Sequence, residues 1–223
     1  MHHIRKRDQS ETFFVIEYHY TLVANYYTIG IDEVGRGPIA GPVVVCACAI
    51  KKGVDVLPLF PKNKLRDSKK LSEKVRIQIV SKLEVYVENK DVVFGLGEVS
   101  ASDIDTLGLA QAIRNAIEMA LQKLHNQDIP KSSFVFLDGS LHAPEVYSQE
   151  TIIQGDEKIP EIALASIIAK VQRDTFMKMV AEVYPDYGFQ NHVGYGTKAH
   201  YEALKNYGLT PLHRRSFLKS FVS

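Results

Sequence analysis

An apolar strand that ends in two adjacent acids constrains this chain more than any other stretch. Ile29-Gly30-Ile31-Asp32-Glu33-Val34 runs directly into Gly35-Arg36-Gly37-Pro38. Carboxylates crowded at a strand end repel and raise each other's pKa. A hard divalent cation relieves this by taking them as oxygen ligands. Water at an exposed strand end relieves it too. This stretch by itself leaves both readings open.

The pattern recurs. The short apolar run Ser133 to Leu137 ends on Asp138-Gly139, and Thr151 to Ile153 ends near Gly155-Asp156. Strand ends are where ligands bind in α/β sheets. Asp32, Glu33, Asp138 and Asp156 at the ends of strands in one sheet could therefore converge. Converging carboxylates need cations among them. Two magnesium ions about 4 Å apart would use such a set to activate water and stabilise a leaving phosphate-ester oxygen. One geometric demand follows. Successive strand residues point to opposite faces, so Asp32 and Glu33 share a site only if the strand bends, and Gly35 and Gly37 predict a bend or bulge there.

Elsewhere the spacing gives a coarse map. Phe13 to Tyr27 reads as partly strand and Thr28 to Val34 as the acid-bearing strand. Val43 to Ile50 is near-continuously apolar, as in a strand covered on both faces, and is expected to pair antiparallel with its neighbour. Ser72 caps a helix striped by Val75, Ile79, Leu83 and Val87. Val92 to Val99 is a strand. Ser100 or Ser102 caps a single second helix carrying Ile113, Ile117, Leu121 and Leu124. Pro160 opens a long helix that ends before Pro185. Gly194-Tyr195-Gly196 is a loop, and Thr197 to Tyr207 is a helix stopped by Gly208. These elements predict one α/β domain with a helical C-terminal end, residues 28–223, preceded by an extension at 1–27 that is frayed or partly strand.

Composition excludes little. In 223 residues the net charge is only +1, so no bulk basicity announces a nucleic-acid partner. The end is basic, however: Lys198, Lys205, Arg214, Arg215 and Lys219 stand against Glu202 from Gly188 onward, with His192, His200 and His213 among them. That suggests either an anionic partner or a solvated face. Cys46 and Cys48 share one strand face and read as buried thiols in a reducing compartment. No apolar run reaches transmembrane length and no secretory h-region follows the N-terminus, so a cytoplasmic location is expected.

The opening motif closely resembles that of type 2 ribonuclease H, the bacterial ribonuclease HII family. Further blocks follow in the family's order: Asp67-Ser68-Lys69-Lys70-Leu71-Ser72; Leu137-Asp138-Gly139; Gly155-Asp156; Ala165-Ser166-Ile167-Ile168-Ala169-Lys170-Val171 with Arg173-Asp174; Gly194-Tyr195-Gly196-Thr197 with His200; and His213-Arg214-Arg215-Ser216-Phe217. The resemblance implies a ribonuclease H-like three-layer fold, a five-stranded mixed sheet with helices on both faces and a C-terminal helical extension. It implies a monomeric endonuclease acting on RNA–DNA hybrids, or on the 5′ side of a ribonucleotide in DNA, leaving 3′-hydroxyl and 5′-phosphate ends. On that resemblance Asp32, Glu33, Asp138 and Asp156 are the catalytic ligands of Mg2+ or Mn2+. Gly35, Arg36 and Gly37 form the ribose-reading loop, and Tyr195 packs on the sugar. Glycines permit close approach to a 2′-hydroxyl, which separates RNA from DNA. Lys69 and Lys70 are expected on backbone phosphates, and Arg214 and Arg215 in a similar role. Gln154 departs from the family, where lysine is common. The ribonuclease HIII type, with its separate N-terminal substrate-binding domain, is not expected.

Three rival readings fit the sequence less well. A binding module without catalysis does not account for the full acid set. A phosphate-loop enzyme would need the Gly-Lys-Ser/Thr ending that Gly35-Arg36-Gly37-Pro38 lacks. A resolvase or transposase on the same fold has no use for a loop that reads a 2′-hydroxyl. Asp174, one turn from Lys170 and from Lys178, is either a helix ion-pair partner or a support for the acid site.

Overall fold

The computed structural model describes residues 26–222 apart from residue 66. The strand expected between Phe13 and Tyr27 lies mostly outside the described residues; Tyr27 itself opens the first strand. Strands β1 (Tyr27–Val34) and β2 (Val43–Lys51) form the expected antiparallel pair, and β3 (Val92–Val99) adds to β2 antiparallel. Strands β4 (Phe134–Asp138) and β5 (Gln149–Ile152) continue the sheet on the other side, β4 parallel to β1 and β5 parallel to β4. The result is a five-stranded mixed sheet in the order β3-β2-β1-β4-β5.

Helices cover both faces. They are α1 (Glu73–Glu88), α2 (Ala101–Leu107), α3 (Leu109–His125), α4 (Pro160–Val183), α5 (Phe189–His192), α6 (Lys198–Tyr207) and α7 (Lys219–Val222). Ile29, Ile31, Val43, Val45, Ala47 and Ala49 pack with α3 residues such as Ala116, Ile117 and Leu121. Val44, Cys46, Cys48 and Ile50 face the other way, with Ile79 and Leu83 of α1 and Leu164, Ile167 and Ile168 of α4. This two-sided burial is why β2 reads as an unbroken apolar run. The cysteines are free and buried, and burial pushes both thiols up.

A third cluster joins the C-terminal helices to the loop after β1. Ile39 and Ala40 pack with Met177 of α4, Phe189 of α5 and Ala203 and Leu204 of α6. Caps fall where polar residues precede the helices: Ser72, Ser100 and Thr197 each accept a backbone N–H from the first turn. The helix expected after Ser100 is in fact two, because Gly108 at φ +78° breaks it between α2 and α3. No helix among the described residues is long and apolar enough to cross a membrane.

Of the expected bend or bulge, the structure has the bend, and it falls after the strand rather than within it. The β1–β2 register runs without interruption from Tyr27↔Lys51 to Val34↔Val44. The chain turns only after Val34, at Gly35 with φ +93°. Ile29 and Ile31 face α3, so alternation puts Gly30 and Asp32 on the α4 side. Gly30 lets the first turn of α4 lie directly on β1. A Cβ there would stand 2.2 Å from the backbone carbon of Glu161 and 2.3 Å from the Ile162 nitrogen. Backbone cannot yield as a side chain does, so Gly30→Ala should cost about 1–3 kcal/mol. Urea denaturation would register this as a lower midpoint at an unchanged slope.

Candidate active site

Parallel pairing brings the acids to one edge. Ile31 pairs with Leu137, so Asp32 and Asp138 follow at the same level on neighbouring strands. Strand β5 runs beside β4 in the same direction and leads into the turn Gly155–Glu157 that bears Asp156. Gln154 enters this turn in the left-handed region, at φ 56°. The Gly155 N–H then donates to Asp138 Oδ1 at 2.7 Å, tying the two acidic ends together.

The four carboxylates act on one another in sequence. Burial pushes Asp32 well above the usual carboxylate range, and the charges of Glu33 and then Asp138 push it further. Hydrogen bonds from Ser166 and from the Glu33 N–H, the latter at 2.7 Å, oppose the rise. Asp156 is raised by burial, then by Asp67 and Asp138, with Lys69 opposing. Glu33 turns to Arg36, whose Nη1 donates to its Oε1 at 2.9 Å. Asp32, Glu33 and Asp138 thus each have a protein partner of their own. Among the described residues, no three His, Cys, Asp or Glu side chains are close enough together, as they stand, to hold a metal ion. The set is an open arc of like charges with its first member buried.

Beside the arc, the loop from Gly35 to Pro42 is braced by two arginines with no exposed surface. Arg173 of α4 donates to the carbonyls of Pro42 (2.9 Å), Ala40 (3.0 Å) and Val193 (2.9 Å). Arg214 donates to those of Gly35 (2.6 Å), Arg36 (3.1 Å) and Gly41 (3.0 Å). The expectation that Arg214 meets phosphates is therefore wrong: its fork is used inside the protein. Burial, then the charge of Arg173, lowers its pKa to about 10, so it stays charged at neutral pH. The glycines fit this bracing. A Cβ on Gly35 would lie 2.5 Å from Arg173 Nε. Arg215 is exposed, its backbone N–H bound to Asp105.

Tyr195 stands over the same loop. It is 43 % exposed, so it does not fill a core gap. A Cβ on Gly37 would sit 3.7 Å from its ring, in ordinary contact. The two loops are joined below, where Ile39 and Ala40 donate to the Gly194 carbonyl at 2.9 and 3.2 Å. The ribose-reading loop and the sugar-packing tyrosine expected from the sequence are thus brought together.

Lys69 and Lys70 lie in a short 3-10 turn, Ser68–Lys70, which Asp67 caps by accepting the Lys69 N–H at 2.8 Å. Both lysines are exposed; Lys70 pairs with Glu157, next to Asp156. Beneath them is a buried support that the sequence did not reveal. Arg76 of α1 donates to the Ser68 and Leu71 carbonyls at 3.0 and 2.5 Å, and its other nitrogen lies 3.5 Å from Asp174. Asp174 also takes Lys170 at 2.7 Å, whereas Lys178 goes to Glu73 instead. Ser68 Oγ meets Ser166 Oγ at 2.8 Å, and Ser166 is the residue that bonds Asp32. Asp174 supports the lysine turn through Arg76. The signal available in the sequence was Asp174 beside Arg173 and one turn after Lys170, charges set among the apolar residues Ile167, Ile168 and Val171 of the same helix.

A mixed sheet between helical layers, with acids at neighbouring parallel strand ends, defines a nuclease of the ribonuclease H-like class. The ribonuclease HII family model matches residues 29–220. Ribonuclease HII of Chlamydia pneumoniae is 41% identical over 205 residues, covering 91% of this chain and 89% of its own. That of Thermosynechococcus vestitus is 43% identical over 195 residues, covering 87% and 85%. Among solved structures, the ribonuclease HII of Archaeoglobus fulgidus in complex with PCNA superposes with a TM-score of 0.65 at 24% identity, over 86% of this chain and 94% of that one. A Bst ribonuclease HIII solved with Mn2+ gives 0.62 at 16% identity, over 88% and 68%. The chain belongs to the ribonuclease HII family, and it is a hydrolase of the endoribonuclease class.

The arginine brace yields a prediction. Arg214→Lys keeps the charge but cannot reach three carbonyls with a rigid fork. Each carbonyl left bare should cost about 1–3 kcal/mol. Chemical denaturation would measure it, and unchanged stability would mean that water replaces the fork.

Proposed function

We propose that the chain cuts RNA in RNA–DNA hybrids and cuts on the 5′ side of single ribonucleotides embedded in duplex DNA, leaving 3′-hydroxyl and 5′-phosphate ends. One observation carries the reading: the exposed Tyr195 ring stands over Gly37, in a loop that begins where the acid arc ends. A ribose can lie against a backbone that has no side chain in its way. The 2′-hydroxyl then meets peptide groups held rigid by Arg173 and Arg214, while Tyr195 packs on the sugar. A deoxyribose would leave those peptide groups without a partner.

Asp32, Glu33, Asp138 and Asp156 would hold Mg2+ or Mn2+, two ions in the working enzyme. The donors fit: they are carboxylate oxygens, which such cations prefer, and Asp32 is buried with negative neighbours. The Mn2+ found in the Bst relative agrees with this. Bound there, the ions supply an activated water and a counter-charge for the leaving 3′ oxygen. Lys69 and Lys70 meet the phosphate backbone, Lys70 by exchanging Glu157 for a phosphate. A single chain contains all of these protein parts, which supports a monomeric enzyme, and the free thiols of Cys46 and Cys48 support a reducing, cytoplasmic compartment.

Three experiments test this. A labelled DNA duplex with one ribonucleotide should be cut only with Mg2+ or Mn2+, on the 5′ side, and an all-DNA duplex should survive. Asp138→Asn should lower that rate by on the order of 10^2-fold or more with hybrid binding retained; turnover near wild type in Mg2+ would remove Asp138 from the ligand set. Tyr195→Ala should lower single-ribonucleotide cleavage by about 10-fold, a contact worth roughly 1.4 kcal/mol. Its melting temperature should barely move, because the ring is largely exposed. A fall in melting temperature at normal activity would assign the ring to packing instead.

A further inference from the structure

Three histidines that play no part in the chemistry above lie directly beneath Tyr195. We propose that His213 and His200 form a one-way relay of neutral imidazoles which, with His192 stacked alongside, positions Tyr195 for the ribose. The proposal rests on the reading of Tyr195 as the sugar-packing residue.

The direction of the relay is set by the backbone. The Thr210 N–H can only donate, and it does so to His213 Nδ1 at 2.9 Å. That nitrogen is therefore bare, and the ring proton of His213 sits on Nε2. His213 Nε2 meets His200 Nε2 at 3.0 Å, so His200 must accept there and carry its own proton on Nδ1. His200 Nδ1 in turn lies 2.9 Å from the Tyr195 carbonyl, which can only accept. An obligate donor at one end and an obligate acceptor at the other leave one pair of tautomers. His192 follows the same logic. Its Nδ1 takes the Gly194 N–H at 3.3 Å, and its Nε2 donates to the Tyr187 carbonyl at 2.9 Å. The peptide groups on either side of the Gly194–Tyr195 bond are thus each held by an imidazole.

The surroundings favour this state. His200 has no exposed surface and His213 only 3 %. The rings of His192 and His200 stack with centroids 4.4 Å apart. Phe189 meets His200 edge-on at 5.4 Å, and Tyr187 lies 5.3 Å from His213. A second proton on either relay ring would set N–H against N–H. Burial first, then the neighbouring imidazoles, holds both His200 and His213 down at about 4. Packing alone would be served better by apolar rings, since a buried polar ring is costly unless each of its nitrogens is bonded. Here all six ring nitrogens are bonded, and the relay ends on the residue that stands over Gly37.

The test has two arms on the full chain. Long-range 1H–15N NMR at neutral pH should find the Nε2–H form of His213 and the Nδ1–H form of His200. The opposite tautomers, or charged rings, would overturn the relay whatever the activity. The kinetic arm compares His200→Phe, which keeps a ring but loses the donor, with His200→Asn, whose amide can donate from the Nδ1 position. His200→Phe should lower kcat/KM on the single-ribonucleotide duplex about 10-fold, and His200→Asn should recover most of that. In a Tyr195→Ala background His200→Phe should cause no further loss. The same loss in both backgrounds would overturn the positioning role. Wild-type activity that does not change with Tyr195→Ala would instead remove the sugar-packing reading, and it would do so without disturbing the tautomers. If His200→Phe does not fold, the NMR arm and His200→Asn still decide.

Discussion

Six backbone carbonyls point into the space between the acid-bearing strand and the C-terminal helices, and two guanidinium groups satisfy all of them. Arg173 reaches Ala40, Pro42 and Val193; Arg214 reaches Gly35, Arg36 and Gly41. A loop that turns at positive φ cannot pair its carbonyls in a sheet, and buried carbonyls left bare are costly. The arginines solve this without a carboxylate partner for each charge; the distributed carbonyl dipoles take that role. Apart from the bond to Val193, which spans 20 residues, the bracing joins parts of the chain 131 to 179 residues apart in sequence. The C-terminal helices are thus built into the loop that follows Asp32 and Glu33.

Sheet topology does the rest. Because β1, β4 and β5 run in the same direction, their acidic ends lie on one edge. The antiparallel strands β2 and β3 keep β1 in the middle of the sheet, where Asp32 is buried under α4. A buried carboxylate with carboxylate neighbours is electrostatically unfavourable in the protein alone. Such an arrangement suits a positive ligand, and on the proposed function the loop beside it receives the sugar.

The sequence made the elements legible wherever periodicity and caps agreed. Val92–Val99 was bounded by its apolar run, and Ser72, Pro160 and Gly208 marked helix ends by local chemistry that needs no tertiary partner. It misled where one glycine carried two possible meanings. Gly108 split a helix that periodicity joined, whereas Gly35 gave the expected bend, though after the strand rather than within it. The acids were visible because three strand ends repeat one pattern. Arg214 was misread as a surface charge because composition counts charges without saying which carbonyls they face. His200 and His213 were visible as basic tail residues and as members of two family-like blocks, but nothing in the sequence showed that, 13 positions apart, they meet at 3.0 Å.

A division of labour between the cations explains how a chain of net charge +1 can still take an anionic polymer. Arg76, Arg173 and Arg214 are buried, each bonded to two or three carbonyls. The planar fork suits that task, since it is weakly hydrated and bonds several acceptors at once. Lys69 and Lys70 stay exposed on the turn that Arg76 holds. A lysine ammonium is a strongly hydrated, mobile point charge and meets phosphates without demanding one geometry. Counting Arg214 as surface charge would overstate the basic face. On the proposed function, the charge that meets the substrate is local: two lysines and Arg36 around an acidic arc. Arg36 is the exposed exception, holding Glu33 by one nitrogen and leaving the rest of its fork in solvent beside the loop.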